Sequence, residues 1–298
     1  MEGYFWRVTD VATSRVIVVL CGVNRHPDGD WATVAIAADP GRIVHSAVFP
    51  RASARRDRFL VTAGDGAFRA TAHDVHLAIG NAVVDLHIDR GVGWPLTLGG
   101  GGIFSAMPFL GQYWHPHLLG GDVSGSASFG GEQWRLVAAE IYAEKNWGAG
   151  FPEHWWWGQA QGFERPDVCV AFGGGRLTAG PLALTVGGVV ARVGDDVVRF
   201  APPFARVHSS TDGTRWTVDA RTRRCRLHLE GIGAGAPHML PVPLPAERRN
   251  VHTDAEFLTA QLSLDVTGSV QYSGVSELAG LETGYRPTAA RGSSELAE

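Results

Sequence analysis

Between Glu140 and Gln159 the chain reads Glu-Ile-Tyr-Ala-Glu-Lys-Asn-Trp-Gly-Ala-Gly-Phe-Pro-Glu-His-Trp-Trp-Trp-Gly-Gln. Four of the 10 tryptophans fall in this stretch, at 147, 155, 156 and 157. So does Lys145, the single lysine among 26 basic residues. Tryptophan is costly to leave in water, so the cluster lines a core or a pocket. Glu144 and Lys145 form a charged pair beside it, outside any solvated run of charge. Ionisable groups set against apolar surface are where proton-transfer chemistry is found. The plain alternative is an ion pair at a strand end with no further role.

Other chemistries fit less well. His115-Pro116-His117 with Asp122 offers an H-x-H pair, and histidines at i and i+2 of a strand share a face. The intervening proline argues against a regular strand, no third ligand is evident, and no metal is expected. Neither a G-x-S-x-G elbow, nor a Walker lysine after glycines, nor a G-x-G-x-x-G after a strand occurs. Gly99 to Gly102 reads as a flexible turn.

These residues must be placed by strands. Val84, Leu86 and Ile88 alternate with Asp85, His87 and Asp89, and Cys225, Leu227 and Leu229 with Arg226, His228 and Glu230. Leu262, Leu264 and Val266 repeat the pattern. Period-2 runs separated by Gly- and Asp-rich turns indicate an all-β chain of sandwich or barrel type. Helical periodicity is nearly absent, with one short helical turn expected at Asp254 to Ala260. On a strand, Tyr142 and Glu144 face one way and Lys145 and Trp147 the other. Trp155 and Trp157 share a face, with Trp156 opposite. A weak joint at Gln161 to Asp167 suggests two domains, 1–164 and 165–284. Residues 285–298 lack apolar pattern and read as a disordered tail.

Composition narrows the partners. The chain has 298 residues, 45% hydrophobic and 19% charged, with a formal net charge of −4. Without a basic surplus to neutralise phosphates, a nucleic-acid partner is not expected. The three cysteines are widely spaced and fit a reducing compartment. No stretch approaches the ~20 apolar residues of a membrane span, and Met-Glu-Gly-Tyr is not the cationic start of a signal peptide. A cytoplasmic location follows as the expectation.

The run Tyr142 to Gly148, then Phe151-Pro152 and Trp155-Trp156-Trp157-x-Gln159, resembles the signature of the tocopherol cyclase family. Glu2 to Val8 is similar to that family's first strand, with its aromatic residues reordered. Met107 to His117, followed by Gly121 to Ser126, matches its aromatic-His loop and next strand. Ser276 to Gly284 resembles its closing strand. The resemblance implies two lipocalin-like antiparallel β-barrels in tandem, related to carotenoid 1,2-hydratases. A short chain that begins at the first motif, with no transit peptide, fits the expectation of a bacterial relative. The resemblance also implies a cyclase that closes a chroman-like ring by adding a phenol oxygen across a prenyl double bond.

That reaction needs a proton on carbon and shelter for a tertiary cation. A carboxylic acid in an apolar cavity keeps its proton at neutral pH. Desolvated aromatic faces stabilise the cation by about 2 kcal/mol each. A dry cavity keeps water from capturing it. No cofactor is needed. The expected donor is Glu144, with Asp122 and then His117 as alternatives. Either the Lys145 face of the strand lines the cavity, with Lys145 orienting the phenol oxygen, or the opposite face places Glu144 and Tyr142 inside. Trp114, Trp147, Phe151, Trp155 and Trp157 would border an apolar cavity at the domain junction. The expected partner is a hydrophobic small molecule, with peripheral membrane contact for its uptake compatible with the sequence. The alternatives are a hydratase-like or pericyclic reaction, or a non-catalytic carrier of an apolar ligand.

Overall fold

The computed structural model describes residues 1–55, 57–107, 110–179 and 182–287. It is built from strands, with three 3-10 turns and no α-helix among the described residues. The first sheet contains β1 (Glu2–Asp10), β2 (Arg15–Asn24), β3 (Trp31–Asp39), β4 (Ile43–Phe49), β5 (Ala52–Ala54), β6 (Leu60–Ala63), β7 (Phe68–Thr71), β8 (Asp74–Ile79), β9 (Ala82–Gly93), β10 (Gln112–Phe129) and β11 (Glu132–Gly148). The second contains β12 (His154–Ala160), β13 (Val168–Ala179), β14 (Leu182–Val193), β15 (Asp196–Phe200), β16 (Arg206–Thr211), β17 (Arg215–Arg221), β18 (Cys225–Ile232), β19 (His238–Leu244), β20 (Arg249–Gly268) and β21 (Tyr272–Tyr285).

All pairings are antiparallel. The first sheet runs β4-β3-β2-β1-β11-β10-β9-β8-β7-β6-β5, and it curls until β2, β3 and β4 pack across β5, β6 and β8. The second runs β15-β14-β13-β12-β21-β20-β18-β17-β16, with β19 on β20, and curls until β14 meets β16. The period-2 pattern therefore gives the all-β pair of barrel-like sheets that the sequence indicates.

Each sheet has its own core. Tyr4, Trp6 and Val8 of β1 pack with Ile17, Val19, Val34 and Ile36 inside the first. Phe172, Val189, Leu262, Leu264 and Leu281 fill the second. The opposite face of β1 to β3 is also covered. Val16, Val18 and Ala37 pack on Leu240, Leu258 and Leu278 of the second sheet. Burial on both faces explains why Val16 to Val23 is a nearly unbroken apolar run.

Two elements differ from the sequence expectation. The chain leaves the first sheet after Gly148 and enters the second at His154, whereas composition pointed to about 165. The Trp-rich strand β12 hydrogen-bonds to β13 and β21, so it belongs to the second sheet, and the polar joint at 161–167 is only its turn into β13. The helical turn expected at Asp254 to Ala260 is strand: these residues lie inside β20, paired with β19 and β21. The local spacing of Phe257, Leu258 and Ala260 mimics a helix because β20 is buried on both faces, with Phe257 in the second core and Leu258 against the first sheet. Of the expected tail, Tyr285 ends β21 and Arg286 donates its backbone N–H to Glu153; residues 288–298 lie outside the described residues, as do Pro108 and Phe109.

Candidate active site

The two barrels meet through their outer faces, and a cleft opens along the meeting line. It holds about 1360 Å³ of space, the open mouth included. Phe5, Trp114 and Glu144 line it from the first sheet, and Trp155, Trp157 and Glu282 from the second.

Strand register explains the convergence. Pairing sets Phe5 opposite Glu144 and Arg7 opposite Tyr142. These side chains share the outward face of the first barrel, because Tyr4, Trp6, Ile141 and Ala143 fill its interior. In β12, Trp155 and Trp157 face the cleft, while Trp156 packs against the second core, still bordering the cleft. Glycines make room for the rings. A Cβ at Gly284, opposite Trp155, would overlap that indole. One at Gly280 would lie 3.2 Å from the Trp157 ring and 3.3 Å from both the Arg7 guanidinium carbon and Glu256 Oε1.

Glu144 is 5% exposed. Its Oε2 accepts three hydrogen bonds: from Tyr142 Oη at 2.6 Å, Trp114 Nε1 at 2.7 Å and Trp157 Nε1 at 2.9 Å. Burial raises its pKa, and the three donors, which favour the carboxylate, pull the other way. Burial likewise drives the Tyr142 hydroxyl well above its usual range. Tyr142 and Trp157 sit in an apolar patch with Leu119, Ala171 and Val190. Phe5 stands edge-on to Trp157 at 5.1 Å, and Phe151 covers Trp155 at 4.9 Å.

The structure brings Tyr142, Glu144, Trp114, Phe151, Trp155 and Trp157 to this junction. Four expected residues lie elsewhere. Lys145, on the opposite face of β11, pairs with Glu2 at 2.8 Å beneath Tyr4 and Trp147. Trp147 stacks on Tyr113 at 5.3 Å on that same side. Alternation along the strand separates them from Glu144, so neither lines the cleft. Asp122 pairs with Arg90 at 2.9 Å in a solvated position. His117 packs on Phe59, and burial lowers its pKa to about 4. A bulge between Pro116 and Leu118 interrupts the pairing there. Among the described residues no group of three or more His, Cys, Asp or Glu side chains is arranged so that it could hold a metal ion.

The sequence reading missed a second set of acids. Asp254 and Glu256 of β20 and Glu282 of β21 are buried together on the wall contributed by the second sheet. The Asp254 and Glu282 carboxyls are hydrogen-bonded to each other, and Trp155 Nε1 donates to Glu282 Oε1. Burial and mutual repulsion raise the pKa of all three. Arg7, fully buried, faces them; its Nη2 donates to the carbonyls of Leu258 (2.8 Å) and Leu278. Burial lowers the Arg7 pKa to about 10 while Glu256 and Asp39 oppose that shift. The available signal was polar residues at i and i+2, Asp254 and Glu256, within an otherwise buried strand.

The cleft is thus lined by aromatic rings and buried carboxyls. The family described as "Tocopherol cyclase-like" matches residues 92–285. The chain belongs to this family. It is 33% identical over 107 residues to "Probable tocopherol cyclase, chloroplastic" of Oryza sativa subsp. japonica and 30% identical over 107 residues to "Tocopherol cyclase, chloroplastic" of Zea mays. Each match covers 36% of this chain and 20% of the plant protein, so the chain spans about a fifth of those relatives. Among solved structures, kievitone hydratase from Nectria haematococca superposes with a TM-score of 0.55 at 13% identity, covering 95% of this chain and 88% of that one. A protein of Nitrosomonas europaea provisionally described as an AttH gives 0.53 at 13% identity, over 95% and 92%. These likenesses show a shared fold.

Proposed function

We propose that this member of the tocopherol cyclase-like family is a cyclase that adds an oxygen nucleophile across a prenyl alkene by acid–base catalysis in the cleft between the barrels. The observation that carries the reading is Glu144, a buried carboxyl held by a phenol and two indoles inside an aromatic-lined cleft. A carrier of apolar ligands has no use for it. Burying several carboxyls without matching cations is costly, and such cost concentrates at functional sites.

The addition proceeds as follows. An acid in the cleft protonates the less substituted alkene carbon, leaving a tertiary cation. The faces of Trp155, Trp157 and Phe5 stabilise the cation by about 2 kcal/mol each where desolvated. The substrate's phenol oxygen attacks, and its proton passes to a carboxylate. No electrons leave the substrate, so the chemistry calls for no redox cofactor. Glu144, with Tyr142 beside it, is one of the groups that exchanges these protons. The substrate proposed is an apolar prenylated phenol. Among the described residues no helix is long and apolar enough to cross a membrane.

The test is turnover of a prenylated hydroquinone by purified protein in the presence of EDTA. Cyclisation leaves the mass unchanged and, in D2O, places one deuterium on the carbon that receives the proton. A product heavier by one water would make water the nucleophile. Tight binding of the hydroquinone without turnover or deuterium uptake would refute the reading in favour of a carrier.

A further inference from the structure

The cleft carries ionisable groups on both walls, and the two walls are unlike. On the first, Glu144 has three donors on one oxygen. An anion is well accommodated there: N–H and O–H dipoles converge on it as in an oxyanion site. On the second, the Asp254–Glu282 pair receives one donor from outside itself, Trp155 Nε1. Asp254 Oδ1 has no partner at all, although the residue is 8% exposed and lines the cleft. Two carboxyls in contact cannot both ionise without strong repulsion, so such a pair retains a proton.

A count of charges agrees. Four carboxyls, Glu144, Asp254, Glu256 and Glu282, are buried at this junction. Among the described residues Arg7 is the cation that faces them, and Glu256 is the carboxyl on which its charge acts most directly. Tyr142 adds a neutral phenol that already donates to Glu144. Arg7 Nε and Nη1 and both Glu256 carboxyl oxygens lack hydrogen-bond partners, so among the described residues one unpaired guanidinium is set against the four carboxyls, and the Asp254–Glu282 pair has no cation for a second negative charge.

We propose that the Asp254–Glu282 pair delivers the proton to the substrate alkene, and that Glu144 on the facing wall takes the proton released by the oxygen nucleophile. This rests on the acid–base addition described above and assigns its two halves to two walls. The step balances. The Asp254 O–H bond breaks and its hydrogen forms a C–H bond with the alkene, whose π electrons supply the pair. The oxygen lone pair closes the C–O bond to the cation, the O–H bond breaks, and its proton goes to Glu144. Proton exchange with solvent through the open mouth then resets both carboxyls. Arg7 and Glu256 touch no reacting atom in this scheme; they are positioning residues that hold the pair's protonation.

Deuterium wash-in separates the two halves. In D2O, a protein that can protonate carbon but cannot complete capture by oxygen forms the cation and returns it to alkene, leaving deuterium in recovered substrate. Glu144→Gln is expected to lower ring closure about 10²–10⁴-fold, the usual worth of an acid or base, while recovered prenylated hydroquinone gains deuterium. Asp254→Asn, nearly isosteric, is expected to abolish both ring closure and wash-in. If Asp254→Asn still exchanges deuterium, or Glu144→Gln loses exchange together with closure, the assignment is overturned while the reading of the reaction stands. A wild-type protein that neither cyclises nor exchanges refutes the reaction itself.

Infrared spectroscopy checks the proton without turnover. In a Glu140→Gln background, which removes a carboxyl that also holds a proton near pH 7, the protein at neutral pH should show a protonated-carboxyl C=O band that Asp254→Asn or Glu282→Gln weakens and Glu144→Gln keeps. Absence of that band from this background, or its loss only in Glu144→Gln, overturns the proposal. Circular dichroism and thermal unfolding identify a misfolded variant, and Glu282→Gln gives a second, independent disruption of the pair.

Discussion

Glu144 Oε2 and Trp157 Nε1 lie 2.9 Å apart across the boundary between the two sheets. One residue belongs to β11, the last strand of the first barrel, and the other to β12, the first strand of the second. This hydrogen bond joins the barrels at the point where the proposed chemistry occurs. The short segment from 149 to 153 and the pairing of Met1 with Gly148 hold the same corner.

Trp157→Phe tests that bond. The variant keeps an aromatic face and loses the donor. Hydrogen bonds to charged groups are worth about 1.5–3 kcal/mol, so stability in urea is expected to fall by about that amount or less. The Glu144 pKa should rise further, because one of the three opposing donors is gone. Unchanged urea stability together with an unchanged rate would mean that the bond is not made in solution.

Gly284→Ala tests the close approach on the other wall. An added Cβ overlaps the Trp155 indole, so that ring must turn and release Glu282 Oε1. Overpacking of this kind costs about 1–3 kcal/mol. The expected readouts are a shifted tryptophan emission and a reduced rate. Gly284 is not among the glycines with positive φ, so the effect reads the clash with the indole rather than backbone strain.

Glu140 makes stability depend on pH. Its Oε2 accepts the Gly162 backbone N–H at 2.8 Å, and burial pushes its pKa up to about 7. The unfolded chain ionises near the ordinary glutamate value of about 4.3. Between those values the folded state holds the proton and the unfolded state does not, so stability falls as pH rises. The loss is at most about 1.4 kcal/mol per pH unit for one site, and it levels off once pH exceeds 7. Glu140→Gln should flatten the fall in urea midpoint between pH 5 and 7 relative to the wild type. Parallel curves for the two proteins would contradict the shift.

Asp122→Asn should leave turnover within about threefold of the wild type. The residue pairs with Arg90 at the surface, away from the cleft, and exposed ion pairs contribute about 0.2–1 kcal/mol. A drop as large as that of Glu144→Gln would return Asp122 to the reaction.

The sequence by itself determined the strands and their two faces. Alternation is a property of extended backbone, so Glu144 is set with Tyr142 and against Lys145 and Trp147 before any packing is known. The same rule sets Trp155 with Trp157. It also made the all-β class legible from Val84 to Ile88 and from Cys225 to Leu229. Tertiary structure decided which face meets the cleft, because β1, β11, β12 and β20 are buried on both sides and their hydrophobicity does not distinguish barrel interior from barrel junction. It also decided that Trp147 and Lys145 stand apart from the other candidates. The grouping of the second wall's acids was hidden for a different reason. Glu282 comes within reach of Glu144, 138 positions earlier, and of Asp254 only when β21 is inserted between β12 and β20. The local trace was limited to Asp254 and Glu256 at i and i+2 of one strand; nothing in the sequence near Glu282 points to either of them.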